Sequence, residues 1–266
     1  MKNISIIIPV HVWDEDMKSL LGRALGNLDE CRGFYDGELR AIVVGPQAVV
    51  DGVHSDYCDR VSAVLLNEGS TDFCSQVNFA AQNIDTDYFS IMEVDDVYAP
   101  KWFKMFNEYL AGRENVSLFL PVNVQKIVGD DSVLFVNEIA LSGSFSSNIG
   151  HLDEDALLSA SVYNVTGGVF KTADFVKAGM YKPSIKVSFN YELLLRMAHK
   201  KMDIMVVPKE GYLHVVGRKD SLSDLYVNTL SNDEVAEWYA LAKKEYVHEK
   251  DRNKGIGGKK KSVELK

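Results

Sequence analysis

Along this chain, β-branched runs alternate with stretches whose apolar residues recur at helical spacing. Ile4-Ser5-Ile6-Ile7-Ile8-Pro9-Val10 is apolar at nearly every position, the pattern of a central parallel strand buried on both faces. Asp14 then stands where a helix cap would, and Met17, Leu20, Leu21, Ala24, Leu25 and Leu28 form one apolar stripe behind it. Strand-like runs at 39–44 and 61–66 lead to a helical face made by Phe73, Val77, Ala80 and Ala81. Residues 88–92 predict a short buried strand, 102–110 a helix, and 116–122 and 132–141 further strands. Residues 203–207, ended by Pro208, predict the last strand. Residues 233–249 predict a final amphipathic helix with Val235, Trp238, Leu241 and Tyr246 on its apolar side. Strands alternating with helices in this way predict an α/β fold, a three-layer sandwich on a mostly parallel central sheet.

Composition narrows the class. The chain has 266 residues, 46% hydrophobic and 25% charged, enough for one domain with a full core. No run of about 18 apolar residues offers a membrane span. The first residues pass straight into the first strand, with no small-residue cleavage site, so no signal peptide is read. Cys31, Cys58 and Cys74 are widely spaced and odd in number, which points to a reducing, cytoplasmic setting and to no zinc motif. Net charge is −9. Residues 250–266 hold seven Lys/Arg and two Asp/Glu, so this end is at +5 and the preceding 249 residues at −14. The expected division is a single domain over 1–250 and a basic, disordered tail over 251–266. An acidic body disfavours broad contact with nucleic acid, whereas the basic tail allows a local one.

The chemistry concentrates at the end of the 88–92 strand. Glu93, Asp95 and Asp96 put three carboxylates within four positions, and Pro100 follows. Acids at the carboxyl end of a buried strand lie where open α/β sheets bind ligands. Adjacent buried carboxylates repel, and a divalent cation with oxygen ligands relieves that repulsion. Phosphates would follow the cation.

The pattern strand–Glu93-Val94-Asp95-Asp96–Pro100 resembles the metal motif of family 2 glycosyltransferases of the GT-A (Rossmann-like) fold, with Glu93 where the family has Asp. The order of segments from Ile4 to about Ser221 is similar to that family as well. The resemblance implies a transferase that moves a sugar from a nucleotide-diphosphate donor, UDP-linked in the usual case, to an acceptor hydroxyl with inversion. It implies Mn²⁺ or Mg²⁺ held by Asp96 with Glu93 or Asp95, and a late histidine, His214, among the ligands. On the donor side it implies Pro9 and His11 after the first strand, Asn67 and Gly69 after the third, Asn78 on the following helix, and Asp95, Arg218 and Ser221. The acid that often ends the family's second strand is absent; Gly45-Pro46-Gln47 stands there, with Gln47 as the substitute.

On the acceptor side the resemblance implies Gly167 and Gly168, within Asn164-Val165-Thr166-Gly167-Gly168, and Asn190. Phe189-Asn190-Tyr191-Glu192-Leu193-Leu194-Leu195-Arg196 is similar to the family's Glu-Asp-Tyr-Glu-Leu-x-x-Arg, whose second residue is the base. That position is Asn190 here, and an amide cannot take a proton at neutral pH. Glu192 is the nearest carboxylate and is expected to be the base. Glu192 and Arg196 also fit a helical i,i+4 ion pair. The short length, the Glu-Val-Asp-Asp variant and the charged end look like the compact enzymes of tailed bacteriophages. That implies DNA bearing hydroxymethylated pyrimidines as an acceptor, in a host cytoplasm. Alternatives are an inactive nucleotide-sugar-binding domain and a nucleotidyltransferase. The latter normally has a Gly-rich basic loop after its first strand, which this chain lacks.

Overall fold

A computed structural model of the chain describes residues 2–143, 148–219, 221, 226 and 229–257. The first half is built of parallel strands joined by helices. β1 (Ile4–Pro9) is followed by α1 (Glu15–Arg32), β2 (Leu39–Gly45), α2 (Gln47–Asp56), β3 (Ala63–Leu66), α3 (Phe73–Asn83) and β4 (Tyr88–Ile91). β1 pairs in parallel with β2 on one side and β4 on the other, and β3 extends the row beyond β2. Asp14 caps α1 as its position predicts, taking the Met17 N–H at 2.8 Å.

The second half turns the sheet mixed. β5 (Val97–Tyr98) and α4 (Trp102–Leu110) precede the long β6 (Val116–Ile127) and its hairpin partner β7 (Val133–Val136). A 3₁₀ turn (Glu138–Leu141), α5 (Glu154–Ser159), β8 (Val169–Lys171), α6 (Thr172–Ala178), α7 (Phe189–His199), β9 (Asp203–Val216) and α8 (Asn232–Gly257) complete the order. Among the described residues the sheet runs β3-β2-β1-β4-β8-β6-β9-β5, with β7 on β6. β8 lies antiparallel to both β4 and β6, β7 to β6, and β5 to β9, so the expected mostly parallel sheet holds only for the β3-β2-β1-β4 block and the β6-β9 pair. Helices cover both faces. On β1, Ile4, Ile6 and Ile8 pack with α1, α2 and α4, while Ile7 packs with α3 on the opposite face. The alternation is that of a strand buried on both sides.

Several elements differ from the sequence reading. Residues 47–56 form α2, and Gln47, expected as a nucleotide contact, is exposed in its first turn and bonded to Asp51 at 2.7 Å. Pro208 does not end the last strand. The β6–β9 register slips around it, from Leu120 opposite Val206 to Val122 opposite Glu210. A bulge accommodates a residue with no N–H to give, so β9 continues to Val216. The last helix reaches Gly257, seven residues into the stretch expected as tail, and 258–266 lie outside the described residues. Its buried side is Ala242 and Tyr246, while Leu241 is exposed.

Candidate metal and nucleotide site

The carboxyl ends of β1, β3 and β4 lead into His11, Asn67 and the Glu93–Asp96 turn, so the parallel block aims its ligand-binding edge at one place. The continued β9 brings His214 to the same place from the other half of the sheet. Its Nδ1 lies 2.8 Å from Asp96 Oδ2 and 3.8 Å from Glu93 Oε1. Asp96 is 2% exposed, and its Oδ1 accepts the Val215 N–H at 2.8 Å. One ligand atom from each of Glu93, Asp96 and His214 lies within 4.8 Å of the others. Two carboxylates and an imidazole at that spacing suit a divalent cation.

The electrostatics agree with that use. Burial pushes the Glu93 and Asp96 carboxyls above the ordinary carboxylate range against the pull of His214. Burial alone would lower His214, but the Glu93 and Asp96 carboxylates beside it hold it above its ordinary value. The cluster thus carries buried charge repulsion that a cation would relieve.

The turn that presents these acids is set by Tyr212 on β9. The Glu93 N–H donates to the Tyr212 hydroxyl at 2.9 Å, and the Tyr98 ring meets Tyr212 edge-on at 5.0 Å. Gly167 makes room for that ring. It has φ +77°, and a Cβ there would stand 2.3 Å from Tyr212 Cγ. A Cβ on Gly168 would meet Leu120 at 2.9 Å. Both glycines are buried and shape the site from behind; neither lines the pocket described below, where an acceptor contact was expected.

Asp95 is not part of the triad. Its Oδ2 takes the Arg218 Nε at 2.6 Å, which seats a guanidinium next to the acids. Gly217, at φ +81°, turns the chain from β9 toward Arg218, and the Ser221 N–H donates to the Arg218 carbonyl at 3.2 Å. His11 shares this neighbourhood: burial first, and then the Arg218 charge, lower its pKa, so its imidazole is neutral. Pro9 ends β1 two residues before it. Asn67 shapes its own turn, giving a bond to the Ser70 carbonyl at 3.0 Å and taking the Gly69 N–H at 3.2 Å.

Asn78 and Glu192 depart from expectation. Asn78 commits its amide oxygen and one N–H to one residue, donating to the Tyr181 carbonyl and accepting the Tyr181 N–H, each at 2.9 Å. It therefore holds the chain ahead of α7 rather than facing a nucleotide. Glu192 is 1% exposed and saturated: Arg196 reaches it at 2.9 and 3.0 Å, Lys182 at 2.8 Å, and the Tyr246 hydroxyl at 3.0 Å. Burial works to raise its pKa, but the Arg196 and Lys182 cations outweigh it and hold the carboxyl below its ordinary value. α7 is regular from Phe189, so Asn190 and Glu192 point in different directions, about 200° apart around the axis. Asn190 has the pocket and Glu192 has the interior.

That pocket, of about 290 Å³, adjoins the triad. Glu93 and His214 line it, and so do Gln125, Tyr163, Asn164, Lys186, Asn190 and Tyr239. Gln125 sits opposite His214 in the β6–β9 register. Of these, Gln125, Tyr163, Lys186 and Tyr239 belong to no sequence motif, and only the fold assembles them.

No family model matches the chain, and no curated protein sequence does. Solved structures do. Staphylococcus aureus TarS 1-349 in complex with UDP-GlcNAc superposes with a TM-score of 0.65 at 16% identity, covering 91% of this chain and 65% of that one. The complex of the same protein with UDP gives 0.61 at 15% identity over the same shares. Mannosyltransferase PcManGT from Pyrobaculum calidifontis, in complex with GDP-Man and Mn²⁺, gives 0.55 at 12% identity, covering 82% of this chain and 58% of that one. The chain spans less than two thirds of each. The likeness is one of fold, and the fold is the one found in GT-A-type glycosyltransferases.

Proposed function

We propose that the protein is a metal-dependent glycosyltransferase that takes a sugar from a nucleotide-diphosphate donor. The observation that carries this is the meeting of Glu93, Asp96 and His214 at the ligand-binding edge of the sheet, beside the Asp95–Arg218 pair and a pocket large enough for a sugar. Structures of similar fold hold UDP-GlcNAc, or GDP-Man with Mn²⁺. Glu93, Asp96 and His214 would hold Mn²⁺ or Mg²⁺, which neutralises a diphosphate leaving group when bound. Arg218 supplies a guanidinium suited to phosphate oxygens. Neutral His11 faces the base and ribose side, with Asn67 and Gly69 shaping the neighbouring turn. The pocket takes the sugar and the acceptor, and one displacement inverts the anomeric carbon.

The test is Asp96→Ala. The wild type should gain thermal stability from UDP only when Mn²⁺ is present, and the variant should fold without showing that gain. A variant that keeps the Mn²⁺-dependent gain would remove the site. A second reading, a nucleotide-sugar-binding domain without transfer, is favoured by Asn190 in the base position and by the burial of Glu192. Slow, Mn²⁺-dependent hydrolysis of a UDP-sugar would decide for the enzyme. Duplex DNA remains among the proposed acceptors through the basic end of the chain. Transfer to it should then fall steeply as salt is raised.

A further inference from the structure

Four of the residues that line the pocket, Tyr163, Asn164, Lys186 and Asn190, have hydrogen-bond donors to offer. The Asn164 Oδ1 is occupied by the Thr166 N–H at 3.0 Å and the Thr166 hydroxyl at 2.8 Å. The Asn190 Oδ1 accepts the Tyr181 hydroxyl at 3.0 Å, and Tyr181 is itself pinned through its backbone by Asn78. An amide whose oxygen is committed to the protein has its NH₂ left to offer. Both residues line the pocket.

Lys186 adds an ammonium to the same lining. Its carboxylate neighbour, Asp72, is 3.9 Å away and already accepts the Ser75 N–H at 3.0 Å and the Ser70 hydroxyl. Tyr163 is 7% exposed, and its hydroxyl has no hydrogen-bond partner among the described residues. Burial, and then the Asp153 charge, raise its pKa, so it is a neutral phenol with a proton to give. A buried hydroxyl left unpaired costs free energy that a ligand oxygen would return. Asn190 also sits in the first turn of α7, the positive end of an 11-residue helix.

Among the described residues the same lining is poor in acid: Glu93 is its one carboxylate there, and Glu93 belongs to the cation triad. His11, Asn67, Asp95 and Arg218, the groups assigned to the donor, do not line this pocket. With the donor groups the pocket shares only the cation ligands Glu93 and His214.

We propose that Asn164, Tyr163, Lys186 and Asn190 form a subsite for an anionic oxygen group, a phosphate or a carboxylate, carried by the acceptor. The word acceptor rests on the transferase reading above; the anion subsite itself does not.

The experiment uses the full chain and ligand-observed NMR with glycerol 3-phosphate, glycerate and glycerol, each with and without UDP and Mn²⁺. The anionic probes should bind and glycerol should not, and the tighter of the two anions identifies the group. UDP with Mn²⁺ should leave the probe in place. Lys186→Met, on a half-exposed loop residue, should weaken the anion by roughly tenfold or more, and Asn190→Asp should abolish binding by setting a carboxylate against it. The subsite is overturned if glycerol binds as well as the anions, or if both variants keep wild-type affinity. Displacement of the anion by UDP with Mn²⁺ would reassign the wall to the donor and overturn the acceptor role. Anion binding that persists in a protein unresponsive to UDP would uphold the subsite and sink the transferase reading instead.

Discussion

Glu192 and Asn190 show how far a motif can be carried by sequence alone. The spacing of the Phe189–Arg196 stretch places a helix correctly, and a chemical requirement then points to its nearest carboxylate. The requirement does not choose a face. Glu192 turns inward to two cations and a tyrosine hydroxyl, and its role becomes structural. Removing one member of a buried ion pair strands the others, so Glu192→Gln should cost about 3 kcal/mol, read from urea unfolding near neutral pH. The pH dependence follows from the direction of its shift. A carboxyl held below the ordinary glutamate value of 4.5 stabilises the fold above that value and ceases to do so as pH falls through its folded pKa. The wild type should therefore lose stability in acid faster than Glu192→Gln does, and the two should converge there. A variant as stable as the wild type at neutral pH, but without transfer, would return Glu192 to the chemistry.

At the scale of elements, the site depends on two strands, one that follows its local signal and one that does not. β4 ends at Ile91, and the acids follow at once in a turn that the sequence shows plainly. β9 is longer than its sequence suggests, because Pro208 reads as a stop and the bulge opposite β6 absorbs it. His214 was legible as a late histidine in an apolar stretch. Its seat against Asp96 was not, since that needs the register across the bulge. The pocket wall was less legible still. Gln125, Tyr163 and Lys186 come from a strand and two connections, and side chains that converge only in space leave no spacing to read. Local patterns gave most strands and helices, because burial on both faces and helical stripes are local properties. They could not give the antiparallel insertion of β8, which depends on pairing between distant segments. Tyr212 ties the two strands together, and Tyr212→Phe tests that tie. It leaves the half-buried Glu93 N–H without a partner, at about 1 kcal/mol. The melting temperature should fall by a few degrees and Mn²⁺-dependent UDP binding should weaken with it. Unchanged metal dependence would mean that the acidic turn holds its shape without β9.

At the scale of the whole molecule, the chain is closed by its last helix. Tyr246 of α8 reaches Glu192 through its hydroxyl, and the Ser188 hydroxyl donates to the Trp238 carbonyl at 3.2 Å. Tyr239 meets the Tyr191 ring at 5.7 Å, while Val235 and Tyr239 line the pocket. One helix thus completes the apolar core over α7, caps the buried ion cluster and walls the candidate acceptor site. These roles cannot be separated by trimming it. A chain ended at Leu230 exposes Tyr191, leaves Glu192 short of a hydrogen-bond donor and opens one side of the pocket. A chain ended at Gly257 keeps every contact named here and serves as the control. The shorter chain should unfold at markedly lower urea, by several kcal/mol, because it loses buried aromatic area as well as a buried polar bond. The Mn²⁺–UDP response should suffer less than the anion response wherever the shorter chain still folds. The triad and Arg218 lie on the turn after β4, on β9 and on the segment after β9, whereas Lys186 and Asn190 lie in the loop before α7 and in its first turn, and line one pocket with Val235 and Tyr239 of the removed helix. Equal loss of both responses at a temperature where the truncated protein is folded would show that donor and acceptor sides are one unit, and that α8 supports them both.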